Sequence, residues 1–532
     1  MEITSYFSFL YVVAFLPLVI VLYSIVPKKG RWAVLLAASY VFFWLFSTKL
    51  IVFILASTVV TYLLGRKFES VLAQRSVAVK AVERPERKAV KARYLHKMRR
   101  WLALGVVANF AMLIGLKYLV FFGEVGASLL ALFGVSVDAA VPYIGVPIGI
   151  SFYTLMAASY LFDVYHEKTA ADHNLARMAL FLSFFPQIME GPICRYDQTA
   201  YALFEGNPVK ADNLYKGVLR IVWGFTKKLV IADRLNLVVQ PVFADYANYD
   251  GGVVALVAVL YTIQLYCDFS GCIDMCIGTG RILGVKIPEN FRHPFFSRTA
   301  SEFWQRWHIT LGTWLRDYIF YPVSLSKPLK TMNKAARSRI GNRFGPLLVG
   351  SITLFCVWFT NGLWHGAGSQ YLFFGMYYFV LITLGGFVDV LMVQLSEKTG
   401  LNRQSKGYHA FQIARTLVVI FVGELFFRAE GMDAGLAMFG TMFGNFTLES
   451  FFNGTVLGIG MDVADFAIAA LFLVVMLVVA IVEERGTVVS DWLWDKGVLA
   501  RWVPMLALLF FVIIFGSYGS GALPLDPIYA QF

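Results

Sequence analysis

Residues 66–100 read RKFESVLAQRSVAVKAVERPERKAVKARYLHKMRR. Twelve of them are Lys or Arg and only three, Glu69, Glu83 and Glu86, are acids. Apolar runs stand on both sides: 32–46 and 50–64 before it, 101–122 after it. A dense basic segment between apolar runs of this kind is the mark of a cytoplasmic connection between membrane crossings. The rest of the chain supports that. Of its 532 residues 58% are hydrophobic and 15% charged, against about 25% charged in soluble domains. Only a bilayer houses so many long apolar runs. The runs are continuous rather than alternating, which excludes an outer-membrane barrel. The expected fold is therefore all-α, a polytopic helical bundle of about eleven spans. An ordinary soluble enzyme, a disordered chain and a coiled coil are excluded. The net charge of +12 belongs to loops obeying the positive-inside rule and not to a nucleic-acid interface. Five cysteines without framework spacing imply no disulfides. The first apolar run, Tyr6 to Val26, ends in Pro27-Lys28-Lys29 and reads as a span, not a cleavable leader.

Orientation follows from charge. Lys28, Lys29 and Arg31 precede the hairpin formed by 32–46 and 50–64, and 66–100 follows it, so both feet are cytoplasmic. A second basic stretch, 327–343, has Lys327, Lys330, Lys334, Arg337, Arg339 and Arg343 and no acid, and is placed on the same side. Residues 123–143 contain Glu124 and Asp138 without Lys or Arg and are expected outside, as are both termini. The expected location is the bacterial cytoplasmic membrane. Residues 178–190 are apolar but short, and Pro186 and Pro192 interrupt the region, which predicts a re-entrant or buried segment. Lys216, Arg220, Lys227 and Arg234 recur at helical spacing and predict one basic helix face, suited to attracting an anionic substrate. The whole chain, 1–532, reads as one membrane-embedded domain, with 260–370 as its core segment.

Polar residues at membrane depth are functional candidates. Asp268 and Ser270 sit in the apolar stretch 261–284. Residues 301–322 read as an amphipathic helix carrying Trp304, His308, Arg316 and Asp317. NGLWHGAG, 361–368, ends an apolar run and places Asn361, Trp364 and His365 at the turn of a hairpin between two basic loops. An imidazole held there in low dielectric suits a general base for a hydroxyl. Cys267, Cys272 and Cys276 read as small residues in a packed helix. There is no HExxH, P-loop or GxSxG pattern, and no metal is expected.

At PIGISFYTL (147–155), FFPQ (184–187), GPICRY (191–196), DFSG (268–271), PENF (288–291), EFWQRWHITLGTWLRDYIFYP (302–322) and NGLWHG (361–366) the chain resembles the membrane-bound O-acyltransferases. It is most similar to their bacterial branch that serves alginate O-acetylation. It departs from the family's pattern at Cys267 and Cys272, where aromatics are usual, and its basic segment 66–100 is longer. The resemblance implies that His365 is the family's near-invariant histidine and His308 its second polar position. It implies acetyl-CoA as a cytoplasmic donor substrate with no bound cofactor, and a central tunnel. It further implies an extracytoplasmic esterase-fold acyltransferase partner and a polysaccharide acceptor. In that picture Asp268, Ser270, Trp304, Arg316, Asp317, Asn361 and Trp364 orient the site. D-alanyl transfer to teichoic acid from a carrier protein, a transporter and an export scaffold stay open as alternatives.

Overall fold

The computed structural model describes residues 5–135 and 145–518. Residues 136–143 of the expected outer loop, and the C-terminal tail beyond 518, therefore lie outside the described residues. The expected long apolar runs are helical over most of their described length. Among the described residues, eight stretches are long and apolar enough to cross a membrane. The first of these, Lys28–Lys80, holds two helices, Arg31–Ser47 and Ile51–Lys80. A shorter apolar helical run covers Tyr11–Ile25. The chain is an all-α polytopic membrane protein. Its packing divides into two groups: residues up to Val218 with Met275–Pro288, and Leu219–Asp274 with Glu289 onward.

In the first group, 66–100 is not a loop. It is the continuation of Ile51–Lys80 and Arg87–Lys117, joined by a turn at 81–86. Phe68, Val71 and Met98 are fully buried, and only Pro85 and its neighbours interrupt helix formation. A helix of 30 residues is about 45 Å long at about 1.5 Å per residue, and the hydrocarbon layer is about 30 Å thick. The hairpin therefore has about 15 Å of helix to carry its charges beyond the layer. The stretch 119–131, part of which was read as an outer loop, is likewise helical.

The expectation that 178–190 is broken and buried agrees with the structure. Leu175–Ser183 breaks at Phe184 (φ −49°, ψ 113°), a four-residue helix Phe185–Ile188 follows, and every residue from 178 to 190 is buried. Broken backbone at this depth needs internal partners, and it has them. Phe185 N–H donates to Ser39 Oγ at 3.1 Å, and Met189 N–H donates to Tyr6 Oη at 3.0 Å. Tyr6 Oη in turn donates to the Phe185 carbonyl at 2.9 Å. Gly149 (φ +70°) lies so close that a Cβ there would stand 1.9 Å from the Ile188 carbonyl oxygen. This group also holds a cavity of about 550 Å³ lined by Tyr62, Asp172, His173, Arg177 and Tyr201 among others, none of them an expected site residue.

In the second group, the basic stretch 327–343 is also helical, part of Lys327–His365, which is interrupted at Gly341 (φ +84°, ψ 170°). Lys327–His365 returns as Ser369–Thr399 after three residues. Glycine permits the two helices to touch: a Cβ on Gly375 would lie 2.4 Å from the Trp358 carbonyl oxygen. His365 ends the first helix at this tight contact. The outward side chains Leu471, Val474, Leu477 and Val478 of Val463–Glu484 are at least half exposed, as a lipid-facing surface requires.

Two helix expectations need correction. The amphipathic stretch 301–322 is not one helix. Ala300–Arg306 stops at Trp307, His308 is left-handed (φ +46°, ψ +50°), and Ile309–Leu315 starts anew before a wide-turned segment Arg316–Phe320. The break is imposed from outside the stretch. Phe291 bridges to Trp307, Arg292 N–H donates to the Arg306 carbonyl at 2.9 Å, and Ile309 N–H to the Asn290 carbonyl at 3.0 Å. The supposed single face of Lys216, Arg220, Lys227 and Arg234 is interrupted as well. Ala211–Phe225 passes into a π-helical segment, Thr226–Ala232, before Asp233–Ala244. The wider turn changes the register, so that Lys227 and Lys228 are both buried.

Candidate active site

His308 and His365 are each 3% exposed. Trp364 lies between them: its ring is 5.7 Å from the His308 ring and 5.0 Å from the His365 ring, edge-on to both. The structure thus brings together the RWH and WHG blocks through one indole. On its other sides His365 meets Phe427 at 5.1 Å and Phe374 at 5.9 Å, again edge-on. His308 meets Phe269 at 4.9 Å, edge-on. Trp304 belongs to the same cage. Its ring packs on Tyr378 at 4.8 Å, Trp358 at 5.2 Å and Phe374 at 5.7 Å. Asn361, one turn before His365, is 5% exposed, and its Oδ1 has no hydrogen-bond partner among the described residues. Buried polar atoms are normally paired, so this oxygen is suited to a substrate or a water.

Burial pushes the His308 imidazole down to about 3, because a charged ring is poorly solvated among aromatic edges. It is therefore neutral at physiological pH, with one ring nitrogen a donor and the other an acceptor. A neutral imidazole keeps one ring nitrogen able to accept a hydrogen bond from a hydroxyl.

The other expected residues fall into different settings. Asp268 pairs with Lys228 at 2.5 Å, and Lys228 also lies 2.8 Å from Asp233. Phe269, adjacent to Asp268, makes the contact with His308. Ser270 is buried, and its hydroxyl lacks a hydrogen-bond partner among the described residues. Arg220 pairs with Asp274 at 2.5 Å and with Glu289 at 2.8 Å, and Lys227 reaches Asp274 at 2.7 Å. Arg234 pairs with Asp465 and donates to the Phe515 carbonyl. These three cations are already matched inside the protein, while Lys216 is half-buried on the Ala211–Phe225 helix. Arg316 and Asp317 pair with each other at 3.1 Å, with the Arg316 side chain 54% exposed, so that guanidinium is turned to the surface. Among the described residues no three His, Cys, Asp or Glu are grouped to hold a metal.

Three residues escaped the sequence reading. Lys228 was passed over for its neighbour, though it is the partner of Asp268. Asn290 accepts from Thr310 N–H and Thr310 Oγ, both at 2.9 Å, and starts the helix after His308. Glu424 lies 1% exposed within the apolar helix Lys406–Arg428, and its Oε1 has no hydrogen bond among the described residues. Phe427, a turn further on, packs on His365. A single acid inside an apolar run was the available signal, and averaging over the run hid it.

Comparison with known proteins gives this geometry its context. The family model of the membrane-bound O-acyltransferases matches residues 35–337, which includes His308 and stops short of His365. The "Probable alginate O-acetylase AlgI" of Pseudomonas syringae pv. tomato is 32% identical over 440 residues, covering 81% of this chain and 73% of its own. The peptidoglycan O-acetyltransferase of Helicobacter pylori is 26% identical over 481 residues, covering 82% and 79%. The teichoic acid D-alanyltransferase of Bacillus subtilis is 30% identical over 292 residues, covering 51% and 69%. The chain belongs to the membrane-bound O-acyltransferase family and is an acyltransferase.

Proposed function

We propose that this acyltransferase takes an acetyl group from cytoplasmic acetyl-CoA and passes it through the bundle for O-acetylation of an extracytoplasmic polysaccharide. The observation that carries the reading is the pair of buried histidines on either side of Trp364. His365 acts as general base. It takes the proton of an acceptor hydroxyl while the hydroxyl oxygen bonds to the acetyl carbonyl carbon. The carbon–sulfur bond breaks, and the thiolate leaves with the proton His365 had taken. His308 positions the reacting groups, and Asn361 offers its carbonyl oxygen to the acceptor. The residues 260–370 form the core of the site, and the donor reaches it by a tunnel from the cytoplasmic face.

The donor's phosphates would be drawn to the basic helix ends at 66–100 and 327–343. Arg220, Lys227 and Arg234 are less suited to that role than their spacing suggests, since carboxylates already match them. In the same reading those basic helix ends face the cytoplasm, both termini face outward, and a separate extracytoplasmic esterase-fold protein completes transfer to the polymer. The similarity to alginate and peptidoglycan O-acetyltransferases supports acetyl over D-alanyl, because it spans more of the chain than the similarity to the D-alanyltransferase. Purified protein in sealed vesicles, offered labelled acetyl-CoA on one side and a hydroxyl acceptor on the other, tests this directly. Ester-bound label on the far side is expected. Transfer only from a D-alanyl carrier protein, or no transfer from either donor, would overturn it.

A further inference from the structure

Asn290 is fully buried in the extended segment before Phe291. Its Oδ1 accepts the backbone N–H of Thr310 at 2.9 Å. A backbone N–H can only donate, so the orientation of the Asn290 amide is settled: oxygen, not nitrogen, faces the turn at 308–310. The same oxygen is 3.3 Å from His308 Nδ1. An acceptor oxygen and a ring nitrogen bond at that distance only when the nitrogen carries the hydrogen. His308 is thereby the Nδ1–H tautomer, and its Nε2 has a lone pair and no hydrogen.

The support for this arrangement is unusually complete. His308 is left-handed (φ +46°), a conformation that side chains other than Gly, Asn and Asp rarely adopt. The carbonyl of Asn290 accepts from Ile309 N–H at 3.0 Å, on the other side of that residue. The preceding residue, Glu289, is held by both terminal nitrogens of Arg220 at 3.2 and 2.8 Å. Arg220 is fixed in turn by Asp274, which Lys227 also binds. A chain of ion pairs therefore anchors the segment that grips His308.

We propose that Asn290 is a positioning residue, which holds His308 in its left-handed turn as the Nδ1–H tautomer. Its consequence is a division of labour. His308 Nε2 presents a lone pair that orients a hydroxyl of the acceptor, and it has no hydrogen to give the departing thiolate. Protonation of the thiolate is thus left to His365. This rests on the reading of His308 given under Proposed function.

The test is a double-mutant cycle with Asn290→Ala, Asn290→Asp and His308→Ala, measured as acetyl transfer per folded molecule. Asn290→Ala is expected to lower kcat about 10- to 100-fold, the range seen when a group orienting a functional imidazole is removed. KM for the donor should change little. Asn290→Asp keeps an acceptor oxygen for both Nδ1–H and Thr310 N–H and should recover most of that loss. In the His308→Ala background, Asn290→Ala should cost nothing further. Equal losses in both backgrounds would overturn the role of Asn290 and leave the function of His308 standing. An Asn290→Asp enzyme as inactive as Asn290→Ala would do the same. Full activity in His308→Ala alone would instead remove the reading of His308, and the role of Asn290 with it.

Discussion

Two buried polar regions of the second group are built in opposite ways. Around Lys227 and Lys228 every charge meets another: Asp274 takes Arg220 and Lys227, and Lys228 lies between Asp233 and Asp268. Around Trp364 the polar groups are two histidines and an asparagine, and their neighbours are mainly aromatic rings. Charges locked to one another at membrane depth are poor at changing partners, because each broken pair leaves an uncompensated ion in low dielectric. Neutral imidazoles among ring edges can change hydrogen-bond partners without leaving an uncompensated ion behind. In the proposed reading the first region is scaffold and the second carries the chemistry.

That assignment is easiest to break at His365. His365→Ala and His365→Asn should each lose roughly 10²–10⁴ in acyl transfer at unchanged membrane abundance, measured as ester-bound acetate. Next in size is Lys228→Met. It strands Asp268 and Asp233, which are 1% and 10% exposed at the side chain, and should cost about 3–5 kcal/mol of stability. Thermal unfolding in detergent would read this as a large fall in Tm. His308→Gln keeps hydrogen-bonding atoms on a buried side chain and should retain measurable activity, while His308→Ala retains much less; initial rates at matched abundance decide. Smallest is Arg403→Gln. Its partner Asp389 is 62% exposed, so the pair is worth about 0–1 kcal/mol and Tm should scarcely move. A Tm loss as large as that of Lys228→Met would erase the distinction between buried and exposed pairs.

The membrane fold was legible because it rests on local signals. Apolar runs, basic connections and interrupting prolines act within a few residues of where they stand, and the helices fall on the expected runs. The broken segment at 178–190 was visible for the same reason: Pro186 and Pro192 mark it. The break at His308 was not, because it is set by Asn290 and Phe291, well before it in the chain. Residues 66–100 and 327–343 read as loops because charge was taken for lack of structure, when it marks helix that continues past the lipid. That Lys228 is buried beside Lys227 and pairs with Asp268 turns on a π-helical segment that a 3.6-residue period does not foresee. The histidine pair was legible as two motifs; that one indole joins them was not.

The central claim is that the histidine cage does the chemistry and the ion-pair network holds it in place. It is tested most directly by acetyl transfer per folded molecule in His365→Ala and Lys228→Met side by side, with folded protein counted by size-exclusion of the detergent-solubilised chains. The account predicts a normal folded yield and almost no transfer for His365→Ala. For Lys228→Met it predicts a depleted folded yield whose surviving molecules keep most of their activity. Near-normal transfer by folded His365→Ala would contradict it.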